Sequence, residues 1–342
     1  MIKILQLIGI DDSDSVGILH LSPDPKRMCF NFTGNVELLP FLGSKDFEIF
    51  KHIVGGMKGD PVTFPKMDIV FNCICDPDSN IKSLNIASNI VSSLKIPVFN
   101  DPLHMVKTRR ENMYQMLNGL DGVIAPKTMR LRPKYLSDIV NIIESGQMPV
   151  PVLIRMAGSH NGQDLELIRD LKEIHQLDKF PLDGRDFYMT QFFPYQSKDG
   201  FYRKYRVVVV GGKPYPKHLV VANDWKVRDD SGKNVMDSHP EFQEEEKTFL
   251  KESYKKSAPI FSRLYELLGL DYFGVDFSYT EDGQMIIFEV NSCFRTIGSR
   301  ENPVDYPYPY TEPYVKNIKK AIEEVIRGKA AGKIEIMKDI LQ

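Results

Sequence analysis

No charge excess, long apolar run or glycine-rich dinucleotide fingerprint marks this chain of 342 residues. With a formal charge of -2, it lacks the basic surface that nucleic acids and anionic membranes select, so neither is an expected partner. No apolar run is long enough to cross a bilayer. The opening MIKILQLIGIDDSDS has no small-residue cleavage site and reads as a first strand, not a signal peptide. That strand leads into GIDDSDS rather than GxGxxG, which argues against a dinucleotide site there. Cysteine is scarce: Cys29, Cys73, Cys75 and Cys293. CxC at 73–75 has no second ligand pair at zinc spacing, so all four read as buried reduced thiols, and a cytoplasmic setting follows. Internal repeats and any Ser/His/Asp or Cys/His nucleophile motif are also missing.

What remains is an ordinary globular composition, 42% hydrophobic and 26% charged, at a length suited to two or three domains. Up to residue 102, the strand-like runs IKILQLIG, GILHL, MDIVFNCIC and IPVFN, with SLNIASNIVSSL at helical spacing, predict a small α/β domain with a mostly parallel sheet. A second unit, 103–190, has helices in RRENMYQML and YLSDIVNIIESG and strands at VPVLIRM and FYMTQFFPY. DLELIRDLKEIHQL reads as a helix, or as a strand leading into one. A third unit, 191–342, has a hairpin turning at Gly211–Gly212, one or two helices, a second hairpin turning at Asp282–Gly283, and a helical end.

The second hairpin carries one acid in each arm, Asp276 in FGVDFSY and Glu289 in MIIFEV, with Asn291 on the face of Glu289. Facing carboxylates repel unless a cation lies between them. The oxygen-only set suits Mg²⁺. Spacing alone fits equally an acid-rich edge with Asp276 paired to a Lys or Arg. Arg155 ends a strand before AGSHNGQ, which can fold over phosphates or serve as a surface turn. In YRKYR, Lys204 and Arg206 share one strand face, Arg203 and Tyr205 the other. One face needs an anion unless this is a solvated edge strand. His218, on the return arm, taken alone reads as a structural histidine.

The order of these parts, PVLIRMAGSHNGQDLELI, then DGFYRKYRVVVVGGKPYPKHLVVANDW, then GVDF…FEVN, resembles the ATP-grasp superfamily over about residues 100–325, including the small α/β domain before them. The likeness is to glutathione synthetase and RimK-type ligases. The wording is nearest a bacterial module often fused to tetratricopeptide repeats, of which this chain has none. The resemblance implies an α+β ATP-grasp fold, two subdomains sandwiching ATP behind a pre-ATP-grasp domain. It implies ATP and Mg²⁺ as cofactors, with Asp276, Glu289 and Asn291 on the metal. It places Arg155 where relatives carry a phosphate-binding Lys. Ser159, His160 and Gly162 fall in the flap over the γ-phosphate, Gln191, Phe192 and Phe193 at the adenine hinge, and Arg110 (with Arg109) at a nucleotide-contacting Lys. Arg206 matches the Arg that stabilises the transferred phosphate, and Lys204, His218 and Arg295 face the acceptor. The implied reaction joins a small-molecule or peptide carboxylate to an amine through an acyl-phosphate, releasing ADP and phosphate. A phosphotransferase on the same fold and a non-catalytic nucleotide-binding regulator are the alternatives, and a homodimer is implied by relatives only. ENPVDYPYPYTEPY, 301–314, reads as a proline-stiffened strap or as an acceptor-site wall.

Overall fold

The computed structural model describes residues 1–21, 28–43, 45–56, 62–159, 164–294, 296 and 308–332. His160, Gly162, Arg295 and residues 301–307 of the 301–314 strap lie outside them.

The N-terminal part holds β1 (Ile2–Gly9), β2 (Gly17–Leu21), β3 (Met28–Asn31), α1 (Leu39–Leu42), β4 (Phe47–Val54), β5 (Ile69–Asn72), α2 (Ile81–Leu94) and β6 (Val98–Phe99). Strands pair in the order β4-β1-β5-β6, all parallel, with β2 and β3 as a separate antiparallel pair. β1 and β5 are near-continuous apolar runs because a parallel sheet is covered on both faces. The parallel sheet and its helix match the sequence expectation. β4, FEIFKHIV, was not among the expected strands. It is an edge strand of mixed exposure, whose charged residues dilute the β signal.

Next come α3 (Arg110–Leu117), β7 (Val123–Ile124), β8 (Thr128–Leu131), α4 (Leu136–Glu144), β9 (Val152–Met156), β10 (Leu165–Ile168) and β11 (Phe187–Gln191). β10-β9-β11-β8 form an antiparallel sheet with its own core, in which Val152, Ile154, Phe187 and Met189 pack on Ile139 and Ile143 of α4. Period-two alternation sends the intervening residues to the other face. There Arg130, Tyr188 and Arg155 stand in register across three strands. The segment after β10 is a 3₁₀ helix, Leu171–Lys179.

The last part holds β12 (Tyr202–Val210), β13 (Lys213–Ala222), α5 (Asp229–Ser238), α6 (Pro240–Lys251), α7 (Ala258–Leu268), β14 (Tyr272–Tyr279), β15 (Met285–Asn291) and α8 (Glu312–Ala330). The sheet order is β13-β12-β14-β15-β7. β12 and β13 are joined by Gly211 and Gly212, both at positive φ, 55° and 79°, as a tight hairpin turn requires. β14 is central and buried nearly throughout, which puts Asp276 in an apolar strand interior. α8 lays Ile318, Ile322 and Ile326 between β12 and the N-terminal sheet residues Ile4, Ile69 and Phe71.

Glu246 of α6 is buried, accepting from the Leu219 amide at 3.1 Å and the Tyr310 hydroxyl at 2.5 Å. Burial raises its pKa to about 7. A carboxyl whose folded pKa is raised contributes stability in full at acid pH and loses it as pH climbs through that value. Glu246→Gln is therefore expected to gain on the parent between about pH 5 and about pH 8, read as the difference in thermal midpoints at the two pH values. A constant difference would overturn the assignment.

Candidate active site

The candidate site is a cleft where the carboxyl end of β5, the start of α3, the polar face of β9 and β11, and the end of β15 meet. Cys75, Asp78, Arg109, Arg110, Arg155, Ser159, Tyr188, Glu289, Asn291 and Cys293 line it. Its N-terminal contribution lies just past a parallel strand, where open α/β sheets bind ligands.

Arg110, at the first position of α3, donates to Glu289 Oε1 at 2.8 Å and to the Phe288 carbonyl at 3.2 Å. Burial opposes its charge, but Glu289, Tyr188 and Asp78 more than restore it, and its pKa is raised. Arg155 is placed differently. Its guanidinium donates to the Ser159 carbonyl, and no carboxylate ion-pairs with it among the described residues. Burial and the adjacent Arg110 charge lower its pKa to about 10, against the pull of Glu289 and Asp78. A half-buried cation beside a second cation is costly unless an anion joins them.

Asp276 and Glu289 are cross-strand partners, as are Gly274 and Asn291. A bulge follows this pair, so that Phe277 faces Ile287 and Phe288 is the extra residue. Asp276 is held by Arg206, its cross-strand neighbour on β12, through Nε–Oδ1 at 2.5 Å and Nη2–Oδ2 at 2.6 Å. Asn291 Nδ2 donates to Glu289 Oε1 at 3.1 Å, and its Oδ1 accepts from the Cys293 amide at 2.6 Å. No group of three or more His, Cys, Asp or Glu side chains suited to a metal is present among the described residues. The three-residue set with an amide oxygen still fits a hard divalent ion. Both carboxylates share one strand face, and each now meets a guanidinium where such an ion would share the neutralisation.

The other predicted residues separate into two groups. Gln191, Phe192 and Phe193 close β11 and enter the link to the C-terminal sheet. The Gln191 and Phe192 amides donate to the Lys127 and Pro151 carbonyls, and Phe192 lies edge-on to Trp225 at 5.7 Å, an apolar wall along this link. Lys204 Nζ donates to the Val227 carbonyl at 3.0 Å. His218 lies opposite Arg206 on β13 and is 2% exposed. Burial, then the Arg206, Lys217 and Lys204 charges, push its pKa well down. That setting makes it a neutral support behind Arg206.

Several residues were not foreseen. Asp78 reaches from the N-terminal part to the Tyr188 hydroxyl at 2.8 and 2.9 Å and to Arg130 Nη1 at 2.8 Å, joining two bodies that have separate cores. Burial, then Asp76, raise its pKa. The signal was available: DPD directly after the buried run DIVFNCIC. Phe294 stacks on the Arg206 guanidinium at 4.1 Å, an arrangement that Gly274 permits, since a Cβ there would lie 1.6 Å from Phe294 Cδ2. Gly274→Ala is expected to cost about 1–3 kcal/mol by overpacking, measured by urea denaturation. Unchanged stability would mean that the ring does not sit there.

The cysteine expectation needs correction. Cys75 and Cys293 form a disulfide with Cα atoms 5.1 Å apart, while Cys73 is a buried thiol whose pKa burial drives far up. The partners are 218 residues apart, so only the meeting of the N-terminal part with the end of β15 pairs them. The cytoplasmic inference that rested on four thiols loses that support. No helix among the described residues is long and apolar enough to cross a membrane.

No family model and no curated protein matches the chain. Solved structures do. A RimK-domain ATP-grasp protein from Sphaerobacter thermophilus superposes with a TM-score of 0.55 at 12% identity, covering 95% of this chain and 100% of that one. This chain has the ATP-grasp fold. D-alanyl-alanine synthetase A from Vibrio cholerae gives 0.57 at 12% identity, covering 97% and 99%. D-alanine–D-alanine ligase from Bacillus anthracis, complexed with ATP, gives 0.53 at 13% identity, with the same coverage. The ATP-grasp fold accounts for the four-stranded antiparallel sheet and the mainly antiparallel five-stranded sheet on either side of the cleft, with the parallel N-terminal sheet at its edge.

Proposed function

We propose that the protein is an ATP-dependent carboxylate–amine ligase that activates its substrate as an acyl-phosphate. The observation that carries the reading is the half-buried Arg110–Arg155 pair facing Glu289 and Asn291 across one cleft. Two half-buried guanidinium groups, one with no carboxylate ion pair among the described residues, suit the β- and γ-phosphates of ATP, which Arg can grip bidentately. That ATP-grasp neighbours include ligases, one of them complexed with ATP, supports the same reading.

Each residue then has a task. Arg155 and Arg110 orient the phosphate chain, and Ser159 begins the flap over it. Phe192 and Phe193 wall the base. Asp276, Glu289 and Asn291 would hold Mg²⁺, which supplies charge neutralisation of the phosphoryl oxygens. The substrate carboxylate attacks the γ-phosphorus, the β–γ bridging oxygen leaves with ADP, and Arg206 stabilises charge on the transferred group. The amine then adds to the acyl carbon, phosphate departs, and the amine proton passes to solvent or a basic oxygen. Excluding water during this interval is the task of the flap. The substrates are a small-molecule or peptide carboxylate and an amine.

The test is ADP release from Mg-ATP in the presence of carboxylate pools and hydroxylamine, with Glu289→Gln as the blank. ADP matched by acyl hydroxamate supports the ligase. Carboxylate-independent ADP, or a stable phosphorylated product that hydroxylamine does not intercept, replaces it with phosphotransfer. No ADP above the blank under any condition overturns turnover altogether.

A further inference from the structure

The cleft carries a covalent cross-link that the ligase reaction does not use. Cys75 follows β5 in the N-terminal part, and Cys293 lies two residues beyond Asn291. Both line the same cleft as Arg110, Arg155 and Glu289. Every residue from 291 to 294 is tied down. The Cys293 amide donates to Asn291 Oδ1 at 2.6 Å, and Ser292 Oγ donates to the Cys75 carbonyl at 3.1 Å. Cys293 is bonded to Cys75, and the Phe294 carbonyl accepts from Tyr272 at 2.5 Å while its ring covers Arg206 at 4.1 Å. The disulfide is thus the covalent anchor of a four-residue segment that carries a proposed metal ligand at one end and the cover of the phosphoryl-stabilising arginine at the other.

We infer that Cys75 and Cys293 are a reversible redox pair that regulates this cleft: the disulfide holds Asn291 and Phe294 in register with Glu289 and Arg206, and its reduction releases them. The role given to Asn291 and Arg206 rests on the ligase reading above. The partner is a dithiol reductant. One of its thiolates attacks a sulfur of the pair, forming a mixed disulfide and expelling the other cysteine thiolate, which takes up a proton. The second reductant thiol then resolves the mixed disulfide. The protein gains two electrons and two protons as two thiols, and the reductant leaves as its own disulfide. Oxidation by a disulfide of the same class runs the exchange backwards. Cys75 is 2% exposed and packs in the core, whereas Cys293 is half-buried at the cleft lining, so a reductant approaches the Cys293 sulfur when no nucleotide is bound.

The experiment takes the full chain in oxidised form and after dithiothreitol. Intact mass comes first. The oxidised form is expected to be lighter by two hydrogens, with a peptide joining Cys75 to Cys293, and absence of that peptide under oxidising conditions overturns the proposal. Amide hydrogen exchange without nucleotide is expected to quicken at 291–294 on reduction, while β12 and β14 stay protected. Unchanged exchange there overturns the anchoring. Calorimetry with Mg-ADP is then expected to show binding weakened about 10-fold or more on reduction, the scale for losing a group that orients a metal ligand. Cys75→Ser is expected to bind as the reduced parent does, with or without dithiothreitol. Equal affinity of the oxidised and reduced parent overturns the regulation. If Mg-ADP binds neither form, the ligase reading fails and the regulation with it, while exchange still decides whether the disulfide anchors the segment.

Discussion

Glu289→Gln is expected to lower Mg-ATP turnover by about 10²–10³-fold, the scale for losing one preorganised charge-stabilising group. The substitution keeps the shape and removes a charge at the point where three features meet. Glu289 Oε1 accepts from Arg110 at 2.8 Å and from Asn291 at 3.1 Å, and Asp276 stands opposite on β14. Without its charge, Arg110 and Arg155 stay half-buried side by side with less compensation, so metal-free ATP is expected to bind the variant at least as well as it binds the parent. Mg²⁺ dependence, in contrast, is expected to weaken. The pairing of retained ATP binding with lost Mg²⁺ dependence separates this role from general damage to the fold. Near-parental turnover at ordinary Mg²⁺ would remove Glu289 from the site.

Arg206→Ala is expected to combine a similar loss of turnover with a stability cost of about 3–5 kcal/mol, because it leaves a buried carboxylate without its counter-ion. Asp276 keeps only 7% side-chain exposure and takes both of its 2.5 and 2.6 Å contacts from this guanidinium. Phe294 loses the cation it stacks on as well. Urea denaturation measures the cost. A second variant, Arg206→Met with Asp276→Leu, is expected to recover most of the stability and none of the activity, since an apolar pair of similar bulk can replace a buried ion pair. If the single variant is as stable as the parent, the Arg206–Asp276 pair is solvated rather than buried and its proposed part in holding the site falls.

Much of this was legible in sequence because the relevant signals are local. Alternation within β14 and β15 predicted the hairpin, Asp282–Gly283 predicted its turn, and one acid per arm predicted a carboxylate pair in register. Of the two readings left open for that hairpin, the structure bears on the pairing of Asp276 with a cation. Asp276 is paired to an arginine, as an acid in an apolar strand must be, and it still faces Glu289 across the ladder. The helices at 110–117 and 136–144 and the parallel N-terminal sheet were readable for the same reason, since each rests on the period of its own segment.

The order of elements, the two glycine-turned hairpins and the candidate groups Arg110, Arg155 and Glu289 of the cleft were readable from the residues alone, while Asp78 was not. Which of those groups meet depends on how the sheets pack. Arg110 finds Glu289 across 179 residues, Asp78 finds Tyr188 across 110, and Cys75 finds Cys293 across 218. No periodicity reports on such pairs, because their separation along the chain is set by how three sheets pack and not by the repeat of a helix or strand. The same packing buried His218 behind Arg206, set Arg155 where no carboxylate among the described residues ion-pairs with it, and made a disulfide of two cysteines that the sequence reads as thiols.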